Sequence, residues 1–92
     1  MKKYELIDET KTVNGKTLYR IQALINFGKV KAGELGGFVE SESNLSHEGE
    51  SWVSGDAQIY GNALVCGNAQ IFGNAQIYGD ALVSGEARVY GV

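Results

Sequence analysis

A six-residue motif recurs without interruption over more than a third of the chain. It has the form Gly-[Asn/Asp/Glu]-Ala-x-[Ile/Val]-x, and six copies run from Gly55 to Tyr90 as GDAQIY, GNALVC, GNAQIF, GNAQIY, GDALVS and GEARVY. A looser copy precedes them over 49–54, and Gly91-Val92 begins another. A strict short period of this kind predicts coils stacked on one another, as in a parallel β-helix.

Each hexad predicts a short strand followed by a corner. Alternation along the strand places the Ala and the Ile or Val on the inner side and the two variable residues on the outer side. The inner positions are uniformly apolar, and we expect them to form the core: Ala57, Ile59, Ala63, Val65, Ala69, Ile71, Ala75, Ile77, Ala81, Val83, Ala87 and Val89. Gly and Asn suit the corners because they tolerate left-handed φ. We therefore interpret the corner residues, including Asp56 and Asp80, as structural and predict no metal site.

The repeats resemble those of hexapeptide-repeat proteins with a left-handed parallel β-helix, in which three hexads form one triangular coil. The likeness is close over 49–92 and looser over 37–48. The segment LGGFVESESNLSHEG at 35–49 is also similar to the stretch that introduces such repeats in small bacterial and phage proteins. The left hand is implied by this resemblance alone, since the general crossover rule favours the right hand.

The first 36 residues contain no hexad. Two segments rich in β-branched and aromatic residues flank Asn14-Gly15, a pair that favours the type I′ turn of a β-hairpin. We predict arms at about 4–13 and 16–27, followed by a glycine-rich connection. The chain is thus interpreted as one compact all-β domain, with a hairpin cap and connection over 1–36 and a β-helix over 37–92.

Outward residues align in columns along such a stack, and many of them are large and apolar. Stacked side chains of this type stabilise a sheet by cross-strand contact. Alternatively, contiguous exposed apolar area marks an interaction site, for which Tyr and Trp are favoured anchors. Both interpretations stay open, and the candidate binding residues are Trp52, Tyr60, Leu64, Phe72, Tyr78, Leu82, Arg88, Tyr90 and Val92.

The last coil, from Gly79 to Val92, has no following helix or loop in this sequence. Open strand edges are usually covered, so we expect a second copy to cover this one in a homodimer, with a trimer or a filament as alternatives.

Charge is unevenly distributed along the chain. Residues 1–36 carry seven basic and four acidic side chains, a net charge of +3, and residues 37–92 carry one basic and seven acidic side chains, a net charge of −6. This asymmetry favours oriented association with a protein, and the basic charge is too dilute for nucleic acid.

The resemblance also raises an enzymatic alternative, since the best-known hexapeptide-repeat proteins are trimeric acyl- and acetyltransferases that depend on a histidine. His47 is the single histidine, and the hexad register extended backwards places it on an inner column near Glu48 or Glu50. We favour a non-catalytic binding or self-assembly module without a cofactor. The similarity to phage proteins implies, more specifically, an inhibitor of a host protein such as a defence protein.

Two counts bear on the cellular setting. The single cysteine, Cys66, excludes an internal disulfide and a cysteine zinc site. We find no signal-peptide pattern and no apolar stretch of the roughly 20 residues that span a bilayer. The expected location is therefore the cytoplasm of a bacterial host cell, without a membrane partner.

Overall fold

The structure, a computed structural model, describes residues 2–91. These residues form an all-β solenoid of about three turns. Its elements are β1 (Tyr4–Val13), β2 (Lys16–Ala23), β3 (Leu35–Val39), a 3₁₀ turn (Glu42–Asn44), β4 (Trp52–Val53), β5 (Gln58–Ile59), β6 (Leu64–Val65), β7 (Gln70–Gly73), β8 (Gln76–Ile77), β9 (Leu82–Val83) and β10 (Arg88–Gly91). Over 2–91, no helix is long and apolar enough to cross a membrane.

The solenoid has three faces of parallel strands. Face one stacks β3, β5 and β8, face two stacks β6 and β9, and face three stacks β4, β7 and β10. From Trp52 onward the stacked partners are one 18-residue coil apart, as in the pair Gln58 and Gln76. Three hexads therefore make one turn, and equivalent hexad positions lie directly above one another.

The corner glycines are fixed by the backbone of the next coil. Gly67 has a φ of 67°, and a Cβ atom placed on it would lie 2.9 Å from the backbone nitrogen of Gly85. The adjacent Asn68 N–H donates to the Gly85 carbonyl at 2.8 Å. A side chain at this corner would thus meet both an unfavourable φ and the coil above it.

The inner columns form the core along most of the stack. The inner Ala, Ile and Val residues of the hexads from Ala57 to Ile77 are buried, in contact with Val39, Leu45 and Val53 of the first turn. Tyr4, Ile21 and Ala23 from the N-terminal strands belong to the same cluster. The predicted core is therefore observed from 57 to 77, and the N-terminal segment completes it.

Strands β1 and β2 are antiparallel and meet at Asn14 and Gly15, whose φ angles are 51° and 79°. Strand β2 also pairs antiparallel with β3, so both strands extend the sheet of face one beyond the first coil. The second arm ends at Ala23 and not at about 27. The chain there turns into a short bridge between Phe27 and Val30, which Gly28 permits with a φ of 51°.

The first turn is two residues longer than the others. Leu45 pairs with Val65, twenty positions on, whereas Trp52 pairs with Gln70, eighteen positions on. The two additional residues therefore lie between Leu45 and Trp52. Buried Asn44 stabilises the preceding corner, since its Oδ1 accepts the backbone N–H groups of Glu40 and Ser41 and its Nδ2 donates to the carbonyl of Ala63.

A pair of matched substitutions tests the corner stacking. Gly67→Ala adds both φ strain and a clash with the next coil, and we expect it to lower the free energy of unfolding by roughly 2–4 kcal/mol. Gly85→Ala has the same φ of 67° but open space around its Cβ position, so it should lose only about 1–2 kcal/mol. Urea unfolding followed by circular dichroism measures both, and equal losses would contradict the stacking argument.

Candidate interaction surface

Two aromatic ladders run along the outside of the solenoid. On face one, the rings of Tyr60 and Tyr78 stack with centroids 5.3 Å apart and planes 10° apart. On face three, Phe72 and Tyr90 stack at 5.2 Å and 17°. Both ladders follow from the 18-residue coil, which places the second variable residue of every third hexad in one column.

The first members of the outer columns are buried, so the expectation that Trp52 and Tyr60 are exposed was wrong. Trp52 is 3% exposed because the ring of Phe27 packs against it edge-on at 5.3 Å. Tyr60 is 4% exposed and packs with Leu18 and Phe38 on the outer side of the extended sheet. The hairpin and the connection therefore cover the outward residues nearest the N-terminal end.

The other candidates become more exposed towards the last coil. Leu64 and Phe72 are half-buried, and Arg88 is exposed. Tyr78, Leu82 and Tyr90 are 58%, 63% and 68% exposed. The structure therefore gathers the accessible candidate residues at one end of the solenoid. Val92 lies outside the described residues.

The inner columns also become accessible at this end. The prediction that they are core throughout was wrong for Ala81 and Ala87, which are exposed, while Val83 and Val89 are half-buried. The reason is that β8, β9 and β10 are the last strands in the order of their three sheets, so no further coil covers them within residues 2–91. We call these three strands with Ala81, Val83, Ala87 and Val89 the end face.

The end face presents backbone hydrogen-bonding groups as well as apolar side chains. Along the stack, the N–H of an outward residue donates to a carbonyl of the next coil, as Gln58 does to Ala75 at 2.9 Å and Gln70 to Ala87 at 2.9 Å. The N–H and C=O of one strand residue point to the same edge. The outward residues of β8, β9 and β10 therefore direct both groups away from the molecule.

His47 lies outside the coil and not on an inner column, because the two-residue extension of the first turn makes Leu45 the inward residue. Its Nδ1 accepts the backbone N–H of Lys3 at 3.2 Å, which places the ring proton on Nε2, 2.9 Å from Glu42 Oε1. The partner is Glu42 and not Glu48 or Glu50. The ring stacks on Tyr4 at 4.2 Å, so Nδ1 and one ring face contact the N-terminal segment, while Nε2 contacts the 3₁₀ turn.

Lys3 and Tyr4 anchor that strand from within the fold. The Lys3 ammonium is buried and donates to the Ser51 carbonyl at 2.7 Å, and burial lowers its pKa from 10.5 to about 8. The Tyr4 hydroxyl donates to the Leu45 carbonyl at 2.6 Å, and burial, followed by the charge of Glu42, raises its pKa. Hydrogen bonds from Lys2 and then from His47 lower the pKa of Glu42.

A groove of about 360 Å³ runs along face three between the turn at Gly28 and Arg88, with Phe72 in its wall. Its charged lining residues are Lys29, Glu50, Glu86 and Arg88, and His47 does not line it.

Cys66 is a half-buried free thiol on face two. Over residues 2–91, no group of three or more His, Cys, Asp or Glu residues is placed to hold a metal ion.

Comparison with known protein families identified a repeat in the second half of the chain. Residues 57–71 and 75–91 match the YdcK beta solenoid repeat, which covers about a third of the chain. A search of curated proteins found no match. The repeat match and the three-turn architecture agree that this chain carries a β-solenoid repeat.

The buried Lys3 ammonium predicts a stability that rises with pH. As the pH rises from 8 to 10, the folded protein, in which the pKa of Lys3 is about 8, loses this proton, while most of the unfolded chains, with a Lys3 pKa near 10.5, retain it. Since the unfolded state binds more protons there, the free energy of unfolding should rise by roughly 1–2 kcal/mol across this range. Urea titrations at pH 8, 9 and 10 measure it. Lys3→Met should remove this increment, and an unchanged slope in that variant would contradict the assignment.

Proposed function

We propose that the protein is a non-catalytic binding and self-assembly module whose end face binds a second copy. The observation that carries this proposal is the exposure of inner, core-type positions: Ala81 and Ala87 are exposed at positions whose equivalents in the previous coil, Ala63 and Ala69, are at most 1% exposed. Apolar surface of this kind, contiguous with Leu82, favours association. The exposed edges of three sheets add unpaired hydrogen-bonding groups to it.

The opposite edge of the sheet supports this choice of surface. Strand β1 is the outermost strand of the extended sheet, and its pairing with β2 shifts register between Leu6 and Thr10. Glu9 lies in this bulge and its carboxylate is 2.9 Å from Arg20 Nε. Bulges and charges on an edge strand oppose pairing with another chain. The end-face strands, in contrast, show no register shift and carry exposed Tyr78, Leu82 and Tyr90.

Two finer features of the architecture belong to the same proposal. The hairpin acts as the cap of the first coil, which is supported by its pairing with β3 and by the burial of Tyr4 and Ile21 in the solenoid core. The coils are left-handed, which is supported by the hexad resemblance. A cap at one end leaves the other end free for assembly.

A foreign partner is the more specific form of the proposal. The resemblance to phage proteins implies a host protein as the target, and Tyr78, Leu82 and Tyr90 supply exposed anchor side chains for it. The acyltransferase alternative receives less support, because both nitrogens of His47 are engaged with Lys3 and Glu42. A role for His47 in joining the N-terminal segment to the 3₁₀ turn accounts for these contacts.

Self-association is tested by solution mass. We expect light scattering of the 9.9 kDa chain to give twice that mass, with dissociation on dilution. Val89→Asp places a charge in the end face and should shift the equilibrium to monomer, whereas Leu24→Asp, at an exposed leucine of the N-terminal segment, should leave it unchanged. Circular dichroism confirms that both variants fold. A mass of 9.9 kDa for the wild type at millimolar concentration would refute the proposal.

A further inference from the structure

We propose that the two copies meet across a two-fold axis that lies midway between β9 of one copy and β9 of the other. Strand β9 is the middle strand of the last coil, and we call this an axis through β9. Strand β9 then pairs antiparallel with β9 of the second copy, and β8 of each copy pairs with β10 of the other. This inference rests on the proposed self-association and adds its geometry. It follows from the two ends of the solenoid, the rise of the coil and the direction of the free backbone groups.

The N-terminal end of the solenoid is closed to a second copy. The inner residues of the first turn, Val39, Leu45 and Val53, are fully buried. Tyr4 and Ile21 pack into the same cluster from the N-terminal strands. A head-to-tail contact would have to displace these side chains, whereas two end faces can meet without rearrangement. The assembly is therefore isologous and closes at two copies.

The rise of the coil selects the strand on the axis. One turn rises by one inter-strand spacing of about 4.8 Å, so β8, β9 and β10 lie at successive heights about 1.6 Å apart. An axis through β10 would leave β8 and β9 of the two copies about two spacings apart. An axis through β8 would make β9 and β10 of the two copies overlap. Only an axis through β9 gives all three strand pairs the normal spacing at once.

The backbone groups restrict the register, and the inward side chains select it. Outward residues direct their N–H and C=O to the open edge, and in an antiparallel pair two such residues exchange both hydrogen bonds. Centring the pair on Val83 places Leu82 opposite Ser84 of the second copy, and centring it on Leu82 would also join outward residues to outward residues. We choose Val83 because the large inward residues then face one another, Val83 with Val83 and Ile77 with Val89. Centring on Leu82 would instead place alanines opposite Val83 and Ile77. The two open cores become one continuous core.

The same register pairs the exposed aromatic side chains with polar ones. Tyr78 lies opposite Arg88 of the second copy, an arrangement that allows a cation–π contact, and it occurs twice across the axis. Tyr90 lies opposite Gln76. This pairing gives Arg88 and the two exposed tyrosines a common function at the end face. Arg88→Ala should accordingly raise the dimer dissociation constant roughly tenfold.

At the corners, the register brings like charges together. Asp80 lies opposite Glu86 of the second copy, and both carboxylates are exposed. Each accepts a hydrogen bond from the corner asparagine one coil below, Asp80 from Asn62 at 3.3 Å and Glu86 from Asn68 at 3.4 Å. Repulsion between exposed charges is screened by salt. The geometry therefore predicts an association that tightens as ionic strength rises.

Disulfide trapping tests the axis. In a Cys66→Ser background, Val83→Cys places its thiol opposite the same thiol of the second copy, where Cα atoms of a non-hydrogen-bonded pair are about 4.5 Å apart and can be bridged. Val89→Cys is the matched control, because Val89 is also an inward, half-buried valine of the end face but lies opposite Ile77. After mild oxidation, non-reducing gels should show a covalent dimer for Val83→Cys and none for Val89→Cys.

The outcomes separate this inference from the proposal on which it rests. A covalent dimer of Val89→Cys would move the axis to β10 and overturn the inference. A dimeric mass of the Cys66→Ser protein without any crosslink at position 83 would also overturn it, while self-assembly would stand. A monomeric mass at every concentration would remove both.

The salt response is a second test of the register. We expect the dissociation constant to fall when sodium chloride is raised from 20 to 500 mM. The double substitution Asp80→Asn and Glu86→Gln should remove most of this response. Sedimentation velocity across a dilution series measures both proteins. A dimer that dissociates as salt is added would contradict the placement of these carboxylates.

Discussion

The stacking of one coil on the next at a fixed spacing of 18 residues is the constraint on which the rest of the structure depends. It is imposed at the corners, where the positive φ of Gly67 and the proximity of the Gly85 backbone leave no room for a side chain. Once the corners are in register, the inner alanines form one column and the outer tyrosines another. The core and the aromatic ladders are both consequences of that register.

The N-terminal segment decides which parts of these columns are available for binding. Tyr60 and Tyr78 occupy equivalent positions and stack on each other, yet Tyr60 is 4% exposed and Tyr78 is 58% exposed. The difference arises because Leu18 and Phe38 cover the first ring. The solenoid repeats its surface at every turn, and the non-repeated segment makes its two ends different.

The periodic part of this arrangement could be predicted from the sequence, and the non-periodic part could not. Each hexad predicted where a corner, a short strand and two core residues lie. The inner columns from Ala57 to Ile77 are buried as expected. The burial of Trp52 and Tyr60 was missed because it depends on contacts with a segment distant in sequence. Arg88 and Tyr78, the residues that occupy the same columns on the last coil, are exposed as expected.

The position of His47 was missed for a different reason. Two additional residues between Leu45 and Trp52 shift the register of the first turn. The glycine in this stretch, Gly49, keeps the six-residue spacing to Gly55 and therefore gives no sign of the insertion. The buried Lys3 likewise had no signal, since lysine is rarely fully buried. The pattern around the start of β1, where Tyr4 lies between Lys3 and Glu5, was the one indication that this strand has a buried side.

The two ends of the molecule therefore address the same physical problem by different means. A β-solenoid of three turns has a small core and two open ends, and each end exposes apolar side chains and unpaired backbone groups. At the first turn, Tyr4 and Ile21 belong to the same buried cluster as the inner residues of the solenoid. At the last turn, Val83 and Val89 are left half-buried at the surface. A second copy that supplies equivalent residues would extend three coils to a continuous stack of six, so folding stability and association would be linked through one shared core.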